Sequence, residues 1–323
     1  MKNLKRKEEQ LGEKSRHVAL AFSLIFLFLQ GFSNSSTKYF NKELFSAHKA
    51  VYELRLNDAL VACSQHQDSY SSGTSYIRTL SLALRAFITE KPIDIKAFED
   101  SKNRSLDVFD ELADNDPYKN IFLAETYFYS AIVKAKQDQL YSAARDIGRA
   151  HSLLSENIDN YPNFKGSYKT KGIMQVYLST VPEHYQWAVK LLGFNGDLKK
   201  GLKNLERLVH YQGNDEFLKN LKIETHYMYA FALHHVVKQP QKAWDEVINS
   251  TSDYETNLLS SFFRASLATK LHKNTIAIET IRKAPHSAAY EKLHYLQLLL
   301  GQNLLYQQDP ASLECFETYL AQY

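Results

Sequence analysis

The chain has 323 residues, 44% of them hydrophobic and 23% charged, which is the profile of a folded protein and excludes intrinsic disorder. Its formal charge of +3 comes from the first 16 residues, which hold six of the 39 basic and three of the 36 acidic residues. The remainder carries 33 of each and is neutral, which argues against a general electrostatic footprint for nucleic acid.

Residues 1–16 are basic and polar, and residues 18–29, VALAFSLIFLFL, form an apolar run broken only by Ser23. A bilayer span needs about 17–25 residues, so this run is short for one. It fits the apolar core of a secretory signal, and Gly31-Phe32-Ser33 supplies a small-x-small site with cleavage expected after Ser33. The alternative is an uncleaved anchor over residues 17–32. Both readings export the folded part, residues 34–323, to the periplasm or cell envelope if the host is bacterial. No cysteine closely follows the apolar run, which disfavours a lipoprotein anchor.

From about residue 38 the pattern is helical throughout. Glycine (11) and proline (7) are sparse, and many mark boundaries, among them Gly73, Pro92, Pro117, Pro162, Pro240 and Pro285. The helices pair as 39–54 with 57–68, 75–90 with 93–112, 118–136 with 139–158, and 165–181 with 183–210 in two pieces. Three more pairs follow: 217–237 with 240–249, 256–271 with 274–283, and 288–306 with 310–321. First helices start at intervals of roughly 32 to 52 residues, which bracket the 34-residue tetratricopeptide unit. The fold class is therefore all-α, a tetratricopeptide-like solenoid of about seven helical hairpins.

The most distinctive stretch is residues 171–209. Pro182 ends the helix before it and suits the first turn of a short new one. Tyr185, Trp187, Ala188, Leu191 and Leu192 follow, and Gly193 is placed to end that short helix in a left-handed conformation. Asn195-Gly196 is a turn dipeptide, and Asp197 sits where an N-cap belongs. Leu198, Leu202, Leu205 and Val209 then form one apolar face. Gly196→Val is expected to destabilise the turn by forcing a β-branched residue to positive φ.

Gly172, Leu178, Pro182, Leu191 to Phe194, Gly196-Asp197, Gly201-Leu202 and Leu205 together resemble the hallmark of the tetratricopeptide-repeat-protein-39 family. That family includes fungal inclusion-body-clearance proteins of the mitochondrial outer membrane. The resemblance covers about forty residues and implies a helical-repeat fold. It carries over no catalytic residues.

Catalytic chemistry has little support in the residues. His226 and His234 are eight apart rather than four, and adjacent His234 and His235 point to different faces, so neither arrangement makes a helical zinc site. Glu183-His184 are neighbours on a helix and diverge. No HExxH, GxSxG, Walker or GxGxxG motif is present. Cys63 and Cys315 have no metal spacing and are expected to be packed thiols. The expectation is no enzyme and no cofactor.

Twenty-one tyrosines and 18 phenylalanines are the notable excess. Most belong to the core. Tyr127, Tyr129, Tyr168, Tyr177, Tyr185 and Trp187 are the candidates for lining a concave groove, because aromatic side chains anchor partners at low entropic cost. The expected function is a non-enzymatic, exported scaffold binding an unidentified protein or peptide. The alternative is a hydrophobic-ligand or lipid-binding protein at a membrane.

Overall fold

The computed structural model describes residues 35–181, 189, 196–251 and 253–321. It divides into a unit of residues 1–38, of which a short 3-10 turn at Ser35–Lys38 is described, and a helical unit of residues 39–323. The signal segment, Pro182, Tyr185, Trp187 and Gly193 lie outside the described residues.

The helical unit is built from seven hairpins, and no strand occurs among the described residues. They are α1 (Lys42–Tyr52) with α2 (Leu56–His66), α3 (Ser71–Thr89) with α4 (Pro92–Asp110), and α5 (Pro117–Lys136) with α6 (Leu140–Asn160). Next come α7 (Ser167–Leu178) with α8 (Leu198–Val209), and α9 (Glu216–His235) with α10 (Pro240–Ser250). The last two are α11 (Leu258–Lys270) with α12 (Asn274–Lys283), and α13 (Tyr295–Tyr306) with α14 (Ser312–Leu320). Prolines open α4, α5 and α10 at the first turn, where their missing N–H costs nothing. Asn41, Asp116, Asp215 and Asn257 cap α1, α5, α9 and α11 by accepting backbone N–H bonds.

The array curls back on itself. The first helices of the first five hairpins touch in sequence, α1 to α3, α3 to α5, α5 to α7 and α7 to α9, and α9 then touches α1. These five helices form a closed ring. Its centre is aromatic: Phe40, Tyr76, Phe122 and Phe217 pack with ring centroids 4.9 to 6.4 Å apart. His48 of α1 packs against both Phe40 and Phe217, with near-parallel rings at 6.1 and 5.3 Å, and burial pushes its pKa down to about 3.

Three sequence expectations change. The helix expected from residue 288 begins at Tyr295. Residues 284–294 instead form a strap in which the Glu291 N–H donates to Leu54 O at 2.9 Å and its carboxylate pairs with Arg85 at 2.5 Å. Those bonds tie the sixth and seventh hairpins to the first two and compete with local helix formation. Gly73 is not a boundary but lies inside α3, where a Cβ would fall 1.9 Å from Tyr39 O. Gly196 does not hold a positive φ; its constraint is space, since a Cβ there would fall 1.9 Å from Ser179 N.

α7 and α8 cross at Gly172 and Gly201. A Cβ on Gly201 would stand 2.7 Å from Gly172 O, and one on Gly172 would stand 2.9 Å from Gly201 O. No side chain separates the two backbones there. Asp197 caps α8 by accepting from the Lys200 N–H at 2.9 Å, and its own N–H donates to Gln175 O at 3.1 Å. Gly196→Ala and Gly201→Ala are each expected to lower stability by about 1–3 kcal/mol through overpacking against backbone. Thermal unfolding of the two variants checks this, and unchanged midpoints would contradict the close crossing.

Candidate functional site

Two features dominate the inner face of the ring: a buried ionic hub and an apolar cavity beside it. The hub is built from three charged residues on apolar stripes. Glu125 lies between Ile121 and Phe128 on α5, Lys169 sits one turn before Ile173 on α7, and Glu224 falls between Leu221 and Tyr227 on α9. The ring brings them together. Lys169 is fully buried and its ammonium donates to Glu125 Oε2 and Glu224 Oε2, both at 2.5 Å. Thr170 donates to Glu125 Oε1, and Tyr129 donates to Glu224 Oε1.

Burial alone would lower the Lys169 pKa, but the two carboxylates outweigh it and hold it above the ordinary lysine value. Burial raises Glu125, opposed by Lys169 and reinforced by the Glu224 charge. The hub thus satisfies its ions by mutual contact. Lys169→Met leaves two carboxylates buried without their cation and is expected to cost about 3–5 kcal/mol in urea denaturation. Adding Glu125→Gln and Glu224→Gln to that variant should recover most of the loss. A triple variant no more stable than the single one would contradict the ionic reading.

The cavity has a volume of about 480 Å³. Tyr52, Phe87, Tyr227, Phe262, Phe263 and Tyr295 contribute its aromatic wall, and Glu224 of the hub reaches its lining. Tyr227 stacks on Phe263 at 4.3 Å and donates or accepts a bond with Ser260 Oγ at 2.5 Å, which fixes that wall. Phe262 meets Tyr295 edge-on at 5.8 Å. Along the exposed edge, Lys136 pairs with Glu90 at 2.5 Å and lies over the Phe87 ring at 5.1 Å. Such a lining suits apolar binding, with few polar groups to set orientation.

Of the six aromatic candidates named from sequence, the four described ones, Tyr127, Tyr129, Tyr168 and Tyr177, are not among the residues lining this cavity, and Tyr185 and Trp187 lie outside the described residues. Tyr129 is buried at 5% exposure and belongs to the hub. Tyr168 is buried at 4%, donates to Pro162 O at 2.8 Å, and carries Arg207 over its ring at 4.2 Å. Both are buried because their hydroxyls have internal acceptors, and Tyr168 also lines a second cleft among α6, α7 and α8. Tyr127 is half-buried under Arg149, at 5.2 Å. Tyr177 is exposed and packs on Phe231 at 6.0 Å.

Among the described residues no group of histidine, cysteine and acidic side chains is placed to hold a metal. His226 pairs with Glu246, and Cys63 and Cys315 are buried free thiols. Burial pushes the Cys63 thiol up to about 12.

The stacked hairpins and the Gly172–Gly201 crossing define a helical-repeat protein of the tetratricopeptide kind, a class that typically serves as interaction scaffold rather than enzyme. Residues 40–300 match the family model Iml2/Tetratricopeptide repeat protein 39. The chain belongs to that family. No curated protein gives a significant match.

Proposed function

We propose that this protein is a non-enzymatic, exported scaffold that holds an apolar segment of a protein partner in the cavity among its first, second, fifth and sixth hairpins. The observation that carries this reading is the cavity of about 480 Å³, walled by aromatic side chains on otherwise well-packed helices. Tyrosine and phenylalanine walls of this kind accept a helix or extended segment through a few anchor side chains. Family membership supports the scaffold role. The apolar run at residues 18–29 supports export. A second reading, a small hydrophobic ligand or lipid in the same cavity, is favoured by its sparse polar lining.

One experiment separates these readings. A photo-crosslinking residue replaces Tyr295 in the native host, with and without the cavity-filling change Met228→Trp. The scaffold reading expects one protein cross-linked in stoichiometric yield and a drop of about tenfold in the filled variant, the effect of losing one anchor. It also expects a mature N-terminus at Asn34. Cross-linking indifferent to Met228→Trp overturns the cavity as the docking site. A lipid retained by the parent protein and absent from the variant selects the second reading, and an intact N-terminus overturns cleavage.

A further inference from the structure

A second cleft, of about 380 Å³, opens on the other side of α7, among α6, α7 and α8. It gathers four cations, Lys171, Lys200, Lys203 and Arg207, against one carboxylate, Asp159. The glycine crossing creates this crowding. Because Gly172 and Gly201 let α7 and α8 touch backbone to backbone, Lys171 beside the first glycine is brought against the Lys200–Lys203 turn of α8.

Lys171 is unusual. It is buried at 6% exposure, yet it makes no ion pair with a carboxylate among the described residues. Its ammonium donates to Ser155 Oγ and, at 3.4 Å, to His151 O. An ammonium has three donors, and two of them are used by acceptors among the described residues. The Arg207 guanidinium lies over the Tyr168 ring at 4.2 Å, which holds it at the rim. Lys200 and Lys203 are exposed and make no salt bridge among the described residues.

We propose that this cleft is a binding site for a phosphate monoester, with Lys171 at its floor and Lys200, Lys203 and Arg207 around its mouth. A dianion answers the excess of positive charge left after Asp159 better than a carboxylate does. The guanidinium fork matches two phosphate oxygens, and the lysines act as point charges. The volume exceeds that of phosphate alone and leaves room for the esterified group. This site is distinct from the apolar cavity and stands or falls separately from it.

The electrostatics agree with an anion site. Burial and the Lys200 charge push Lys171 down to about 8, opposed by Asp159. Burial, Lys171 and Lys200 push His151 down to about 4. Lys203 and Arg207 add to the same field from α8. A dianion at the floor would raise the Lys171 pKa, so binding at pH 8.5 draws in a proton.

The test is isothermal titration of the full chain at pH 8.5, in two buffers of different ionisation enthalpy. The soluble ligands are inorganic phosphate and glycerol 3-phosphate. Phosphatidylcholine vesicles with and without phosphatidic acid form the lipid arm, read by co-sedimentation. The expected result is saturable binding with proton uptake, weakened about tenfold or more by Lys203→Gln with Arg207→Gln, both exposed positions. Thermal unfolding without ligand should stay cooperative in that double variant, with no more than the small midpoint shift of losing the Arg207–Tyr168 contact, which separates binding from folding. Binding of the soluble ester assigns a soluble ligand. Binding only to vesicles with phosphatidic acid assigns a lipid headgroup. No binding in either arm overturns the proposal, as does an affinity indifferent to the double variant or soluble-ester binding without proton uptake.

Discussion

The Lys169 ammonium, fully buried between Glu125 and Glu224, is the contact on which the arrangement of the ring depends. Its three residues come from three hairpins, so no one of them is satisfied until α5, α7 and α9 are all in place. An unpaired ion at that depth is costly, whereas a well-bonded one is near neutral. The hub therefore penalises wrong packings more than it stabilises the right one. α1 completes the closure by laying His48 against both Phe40 and Phe217 and packing against α9. The interior that an open solenoid of the same repeats would leave as a groove is filled here by the chain's own first helix. The apolar cavity lies at the edge of that filled region, with Leu293 of the strap and Tyr295 of the helix after it in its lining.

The glycine crossing of α7 and α8 works in the opposite sense. It brings cations together without giving them an ion pair among the described residues. Lys169 and Lys171 are two residues apart on one helix and face opposite sides of it. The first finds two carboxylates and is held charged. The second finds a serine hydroxyl and a backbone carbonyl and has its pKa depressed. One helix thus carries a cation whose electrostatic needs are met internally and a cation whose needs point outward. That contrast is why the first reads as structure and the second as a site.

Much of the architecture was legible in the sequence. Seven hairpins follow from the spacing of apolar residues and from prolines such as Pro92, Pro117 and Pro240, each of which opens a helix as first-turn chemistry requires. Asp197 reads correctly as an N-cap because capping is local. The hub was not legible. Glu125, Lys169 and Glu224 look like surface charges one at a time; the available signal was that each interrupts an apolar stripe, and their meeting depends on contacts 44 to 55 residues or more apart. The ring closure between α1 and α9 has no periodic signature at all. Gly73 and Gly196 were read as conformational residues, while their demand is steric and comes from distant backbone. The aromatic excess was visible, but which rings face a cavity depends on the curl of the array, so Tyr129 fell in the core and Tyr168 against the second cleft while Phe262 and Phe263 line the wall of the first.

The central claim is that α1, α5, α7 and α9 are one cooperative unit organised by the buried hub. Native-state hydrogen exchange measures this directly, because amides that open together share one opening free energy. The account predicts that the slowest amides of these four helices converge on the global value and that α1 is as protected as α9. If α1 and α2 exchange in an independent opening well below that value, the first hairpin is an appendage and the closed ring is not what holds the protein together.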